Sequence, residues 1–225
     1  MKTLAPLLSV KAQLGLTAAV LVSIPVFVQA PLVRNAPWVS LVLTLGWLAL
    51  SMHLMSEPRQ RAWGSLLYGF TLTWLAGSLY WGWLRADPLW HIPVEALGLP
   101  LAWWSLRQPN SPTRLGTFFY LGSLFGTVVT DLYIHSVGLL SEWRLVMAAP
   151  VFDSMGWVLG SALSKMQSPL GILWAWEACL LLFVAGVFSL RRQSTCWKVF
   201  GGAVLSTLVV DGLFWWGSSL VATGL

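Results

Sequence analysis

Seven apolar segments, each approaching or reaching the roughly 20 residues needed to cross a bilayer as a helix, follow one another with short polar breaks along this chain. They cover residues 12–30, 38–55, 63–84, 92–106, 115–137, 170–190 and 197–220. In lipid every backbone N–H and C=O must be satisfied within its own segment, so successive runs of this length predict α-helices rather than sheet. The expected fold is therefore all-α: a polytopic transmembrane helical bundle over residues 1–225 as a single integral membrane domain. Composition agrees, because 57% of the 225 residues are hydrophobic and 9% charged, against about 25% charged in soluble domains.

The first segment has features of a signal peptide, with Lys2 and Lys11 ahead of it and the small-residue spacing of Val28-Gln29-Ala30. Pro31 disfavours cleavage at that point, so the segment is read as a retained span. The fourth segment is short, about 22 Å of helix, and carries Pro93 and Pro100. Charge places it nonetheless. With seven spans the N-terminal side receives Lys2, Lys11, Arg59, Arg61, Arg107, Arg114, Arg191, Arg192 and Lys198, against Arg34, Arg85, Arg144 and Lys165 on the other, nine to four. A re-entrant fourth segment would erase that bias, so the N-terminus is expected in the cytoplasm and the C-terminus on the lumenal or periplasmic side.

Between the fifth and sixth spans, Val151, Phe152, Met155, Val158, Leu159, Leu163 and Met166 recur at helical spacing, with Asp153, Ser154, Ser161, Ser164 and Lys165 opposite. This pattern predicts an interfacial helix over 150–166. The thirteen Lys and Arg residues are scattered and form no stripe, which argues against a nucleic-acid partner. Cys179 and Cys196 are 17 residues apart on one helical stretch, about 25 Å, and are read as free thiols. Of the sixteen Trp residues, most fall near span ends, where indole rings settle at the interface. Trp47, Trp74, Trp174 and Trp176 fall deeper and are read as helix-packing residues. Gly122 and Gly126 form a small-xxx-small pair that lets two helices approach.

Chemistry concentrates in four acids inside apolar segments: Glu95, Asp131, Glu177 and Asp211, one in each of spans four to seven. A mid-bilayer carboxylate costs about 2.5–3.5 kcal/mol on insertion scales, so such groups face a protein interior and mark function. The expected topology puts all four in the outer half. His91 lies four residues before Glu95 and His135 four after Asp131, so each pair shares a helix face. Together these six residues are the candidate ligand or proton site. No metal site is expected, because no span carries the doubled Glu-x-x-His pattern of bundle di-metal centres. A phosphate loop, a nucleophile elbow and an H-E-x-x-H motif are also missing from the sequence.

The runs Gln29-Ala-Pro-Leu-Val-Arg34, Trp74-Leu-Ala-Gly-Ser-Leu-Tyr-Trp-Gly-Trp-Leu-Arg85, Pro88-Leu-Trp-His-Ile-Pro-Val-Glu-Ala-Leu-Gly-Leu-Pro100, Phe119-Tyr-Leu-Gly-Ser-Leu-Phe-Gly-Thr-Val-Val-Thr-Asp-Leu-Tyr133 and Leu205-Ser-Thr-Leu-Val-Val-Asp-Gly-Leu-Phe214 resemble a cyanobacterial multi-pass membrane-protein family, a domain of unknown function. The resemblance implies a photosynthetic host and a thylakoid or plasma membrane. Pro93-Val-Glu95 is also similar to the Pro-x-Glu motif of membrane lycopene cyclases, with Ala96 where those enzymes carry a second acid. Three functions are open at this point. The first is a non-catalytic accessory or assembly protein that binds a pigment, quinone, lipid or partner helix within a membrane-protein complex. The second is a small proton-coupled transporter using the outer-half acids, and the third a membrane enzyme acting on an isoprenoid or lipid.

Overall fold

A computed structural model describes residues 9–148 and 156–223, and among these the chain is helical with no strand. Helix α1 spans Val10–Asn35. Pro25 has no N–H to continue the ladder, and the helix absorbs it in a π turn, Pro25–Gln29, closed from the Ala30 N–H to the Pro25 carbonyl. Helix α2, Pro37–Ser56, starts on a proline, where no donor is lost. Helix α3, Arg61–Leu79, runs on through a second π turn, Tyr80–Leu84. The fourth predicted span is α4, His91–Glu95, and α5, Leu99–Arg107, joined by a 3₁₀ turn at Ala96–Gly98. Then come α6, Arg114–Ser136; α7, Leu140–Ala148; α8, Gly156–Met166; α9, Pro169–Arg191; and α10, Thr195–Thr223.

Five of these helices, α1, α2, α6, α9 and α10, are long and apolar enough to cross a membrane. Their surfaces are inverted relative to a soluble protein. On α2 the buried residues are Ser40, Thr44 and Ser51, while Trp38, Val42, Leu45 and Met52 point outward, well exposed. Likewise α9 buries Gly171, Leu182, Gly186 and Ser189 and exposes Leu173, Leu180, Phe183 and Phe188. Lipid-facing surface gains nothing from polarity, whereas small residues between helices let backbones approach.

Helix α3 is the exception that explains the rest. It falls outside the five, and seven of its eleven buried residues are Gly, Ser or Thr. Cross-helix contacts fix the direction of each neighbour. Ser51 donates to the Gly64 carbonyl at 2.9 Å, and the Ser40 and Ser78 hydroxyls meet at 2.7 Å, so α2 and α3 are antiparallel along their length. Gly69 and Gly116 touch backbone to backbone: a Cβ on Gly116 would lie 1.9 Å from the Ser65 carbonyl oxygen. At the other end of the same two helices, Tyr80 stacks on His91, which bonds Asp131. Helices α3 and α6 therefore run parallel, and the α4–α5 segment runs back between their ends, from His91 beside Asp131 to Ser105 bonded with Thr113 at 3.0 Å. Helix α6 is also parallel to α10, because Gly122 packs on Phe200 and Gly126 on Thr207. Finally α1 is parallel to α10, with Gly15 against Lys198 and the Ser206 hydroxyl donating to the Ala19 carbonyl at 2.6 Å.

Gly122 and Gly126 thus both lie against α10. The described residues bear on two further expectations. The predicted interfacial helix over 150–166 is described from Gly156 onward, and Val151, Phe152, Asp153, Ser154 and Met155 lie outside the described residues. Its apolar residues Leu159, Leu163 and Met166 line a partly open cavity against the neighbouring helices. Of the deep Trp residues, Trp47 and Trp74 do pack, 5.9 Å apart and edge to face, each also against Phe70. Trp174 and Trp176 do not: they are 37% and 72% exposed, and Trp176 borders the cavity.

Candidate functional site

Three of the predicted residues converge. His91 Nδ1–H donates to Asp131 Oδ1 at 3.2 Å, with the proton assigned by its carboxylate acceptor. Nδ1 also lies 3.1 Å from Asp131 Oδ2, which makes no hydrogen bond of its own. One helical turn along α4, Glu95 Oε1 lies 3.7 Å from His91 Nε2, so the imidazole stands between two carboxyls. Glu95 is buried, and among the described residues its Oε2 has no hydrogen-bond partner. The π turn at the end of α3 turns Tyr80 inward, where its ring stacks on His91 with centroids 4.1 Å apart and planes 15° apart.

The break after Glu95 has a local cause. Pro100 cannot donate, and the 3₁₀ turn sends the Leu99 N–H to the Ala96 carbonyl. In a regular helix that donor would reach the Glu95 carbonyl. The orphaned carbonyl is taken by the fully buried Tyr120 hydroxyl at 2.5 Å. Gly98 makes this possible, because a Cβ there would lie 2.7 Å from the Tyr120 ring. The two breaks at Tyr80–Leu84 and Ala96–Gly98 thus aim His91 and Glu95 at α6.

Asp211 lies apart from this group. It accepts from the Thr130 hydroxyl at 2.8 Å and borders a partly open cavity of about 550 Å³ lined by α6 to α10. Leu139, Leu159, Leu163, Leu182, Trp143 and Trp176 dominate the walls, and Cys179 is accessible from inside. Helices α7 and α8 form one wall and are tied together at Glu142. Its carboxylate meets Lys165 Nζ at 2.8 Å and accepts from Ser141 at 2.8 Å and Ser161 at 3.0 Å. Lys165 also donates to the carbonyl of Gly138, the positive-φ turn that ends α6. Burial pushes the Glu142 carboxyl up, but Lys165 and the Ser141, backbone and Ser161 donors outweigh it and bring it down to about 2.

A depressed acid stabilises the fold fully above its unfolded value and loses that contribution as pH falls toward the folded one. Amide protection in α7 and α8 is accordingly expected to hold down to about pH 4.5 and to fall between there and about pH 2, measured by hydrogen exchange. Lys165→Met should move that loss to higher pH; protection indifferent to pH over this range in the unaltered chain would disprove the tie.

The remaining predicted residues are not part of either group. Glu177 is exposed on α9 and does not border the cavity. His135 is also exposed, and Asp131, expected to pair with it, takes His91 across the helix interface instead. Among the described residues no group of three His, Cys, Asp or Glu side chains is placed to hold a metal ion. One polar centre was not anticipated. Gln29, turned inward by the π turn at Pro25, is fully buried and donates to the Trp74 carbonyl at 2.6 Å and the Ser78 hydroxyl at 2.9 Å. Its signal was present in the sequence, an amide in an apolar run four residues after a proline.

Five apolar helices of spanning length mark the chain as a multi-pass integral membrane protein. Residues 18–219 match the family described as protein of unknown function DUF3120, and the chain belongs to that family. No curated protein and no solved structure matches it.

Proposed function

We propose that the protein is a seven-span, non-catalytic accessory protein of a photosynthetic membrane that holds a lipid-soluble molecule (a pigment, quinone or lipid) in the cavity bounded by α6 to α10. The cavity carries this reading: about 550 Å³ lies within the roughly 300–1,000 Å³ of small-molecule sites, which are mostly apolar with a few placed polar groups. Seven crossings are supported by the alternation of directions, since α1, α3, α6 and α10 are parallel and α2, α4–α5 and α9 return between them, α9 lying antiparallel to α10 with Gly186 against Leu205 and Leu190 against Gly201. Resemblance to a cyanobacterial family supports a thylakoid or plasma membrane, and the nine-to-four charge split supports a cytoplasmic N-terminus.

Proton-coupled transport is the weaker reading. The group best suited to carry a proton, His91 with Asp131 and Glu95, borders no part of the large cavity, so it serves better as an interhelical lock. Mass spectrometry of protein extracted from its own membrane in mild detergent tests the proposal. A stoichiometric lipophilic molecule should copurify, and Cys179 should react with a thiol reagent faster once that molecule is stripped. Protein that is folded, ligand-free as purified and equally reactive at Cys179 before and after stripping would rule the binding role out.

A further inference from the structure

The polar groups of the cavity restrict what it can hold. Among the described residues that line it there is no Lys, Arg or His. Its ionisable side chains are two acids, Glu142 and Asp211, with Cys179 and Tyr133. Glu142 is already neutralised by Lys165 and satisfied by two serine hydroxyls. Asp211 is different. Its Oδ2 accepts from Thr130, and no second hydrogen bond reaches it among the described residues. A carboxyl oxygen is therefore left for an occupant, in a space lined mainly by apolar side chains, with Gln167, Ser218 and Tyr133 as its other polar groups.

We infer that the cavity selects a lipophile whose head group donates a hydrogen bond and carries no negative charge, with Asp211 as the acceptor that receives it. A hydroxyl-bearing chain meets this condition: its apolar body covers the Leu and Trp walls, and its O–H satisfies the Asp211 oxygen that Thr130 does not. A carboxylate or phosphate head would instead stand beside Asp211 with no cation within the cavity to compensate, and uncompensated like charges in a low dielectric are strongly disfavoured. Common anionic membrane lipids are excluded on the same ground. This inference rests on the cavity being a binding site, and the test separates the two.

Octadecanol and stearate have the same chain and differ in the head. Each is offered to the delipidated full-length protein in mild detergent, at about pH 9 so that the acid is well above the carboxyl range, and adducts are counted by native mass spectrometry. The alcohol adduct should exceed the acid adduct at least about tenfold, and Asp211→Asn should shrink that ratio by about the same factor. Ala175→Phe, which fills the cavity from α9, should remove the alcohol adduct. Equal retention of acid and alcohol by the unaltered protein overturns the head-group inference even if Asp211→Asn fails to fold, and so does an Asn variant with an unchanged ratio. Retention of neither by folded protein, or of the alcohol equally by Ala175→Phe, overturns the cavity as a binding site.

Discussion

Replacing Gly116 by leucine is expected to lower the unfolding free energy in detergent by about 3 kcal/mol or more, at the upper end of overpacking effects. The Cβ alone would stand 1.9 Å from the Ser65 carbonyl oxygen, and that atom is backbone, so no side-chain rotation relieves it. Helix α6 would have to withdraw from α3, and the Gly116 N–H bond to the Ser65 hydroxyl at 3.1 Å would go with it. Because α3 also packs against α2 and the α4–α5 segment, the loss spreads to both. Gly46 supplies the control, since a Cβ there meets nothing within 4 Å; Gly46→Leu should stay within about 0.5 kcal/mol. Both are read by urea or thermal unfolding followed by Trp fluorescence. If Gly116→Leu unfolds with the Gly46 variant, the α3–α6 contact is wrong.

The second large effect is expected at His91. Its imidazole faces both Asp131 and Glu95, and those carboxyls are 12% and 10% exposed. His91→Ala leaves two buried acids without their shared partner, a change that typically costs about 3–5 kcal/mol. The Tyr80 ring loses its stacking partner as well. Asp131→Leu alone should also destabilise, because it strands the imidazole. In the His91→Leu, Asp131→Leu pair the loss should be well below the sum of the two single changes. Strict additivity across that cycle would mean that the pair is not the lock described here.

How much of this was readable from the residues differs between features. Long helices were legible because lipid demands long apolar runs; 115–137 and 170–190 differ from the helices Arg114–Ser136 and Pro169–Arg191 by one residue at each end. Helix α7 was missed, since Leu140–Ala148 mixes Glu142, Arg144 and apolar residues without a clear stripe. The His91–Glu95 spacing was legible, because both lie on one short helix. That His91 would bond Asp131 was not, as the contact joins residues 40 apart and depends on two helix breaks. Glu177 shows the limit most plainly. In a helix apolar all round, hydropathy does not reveal which side faces the bundle, and only packing decides that Gly171, Gly186 and Ser189 point inward while Glu177 does not.

The pairing of α1 with α10 bears on the order of events during synthesis. Gly15 and Ala19 near the amino end are covered by Lys198, Gly202 and Ser206, so the contact spans nearly the whole chain. Contacts of such sequence separation form late, after the intervening loop has closed. Until the ribosome has released the last helix, the small-residue face of the first has no partner from its own chain. A chain cut off before residue 195 would keep four of the five spanning-length helices and lack the one that covers the first.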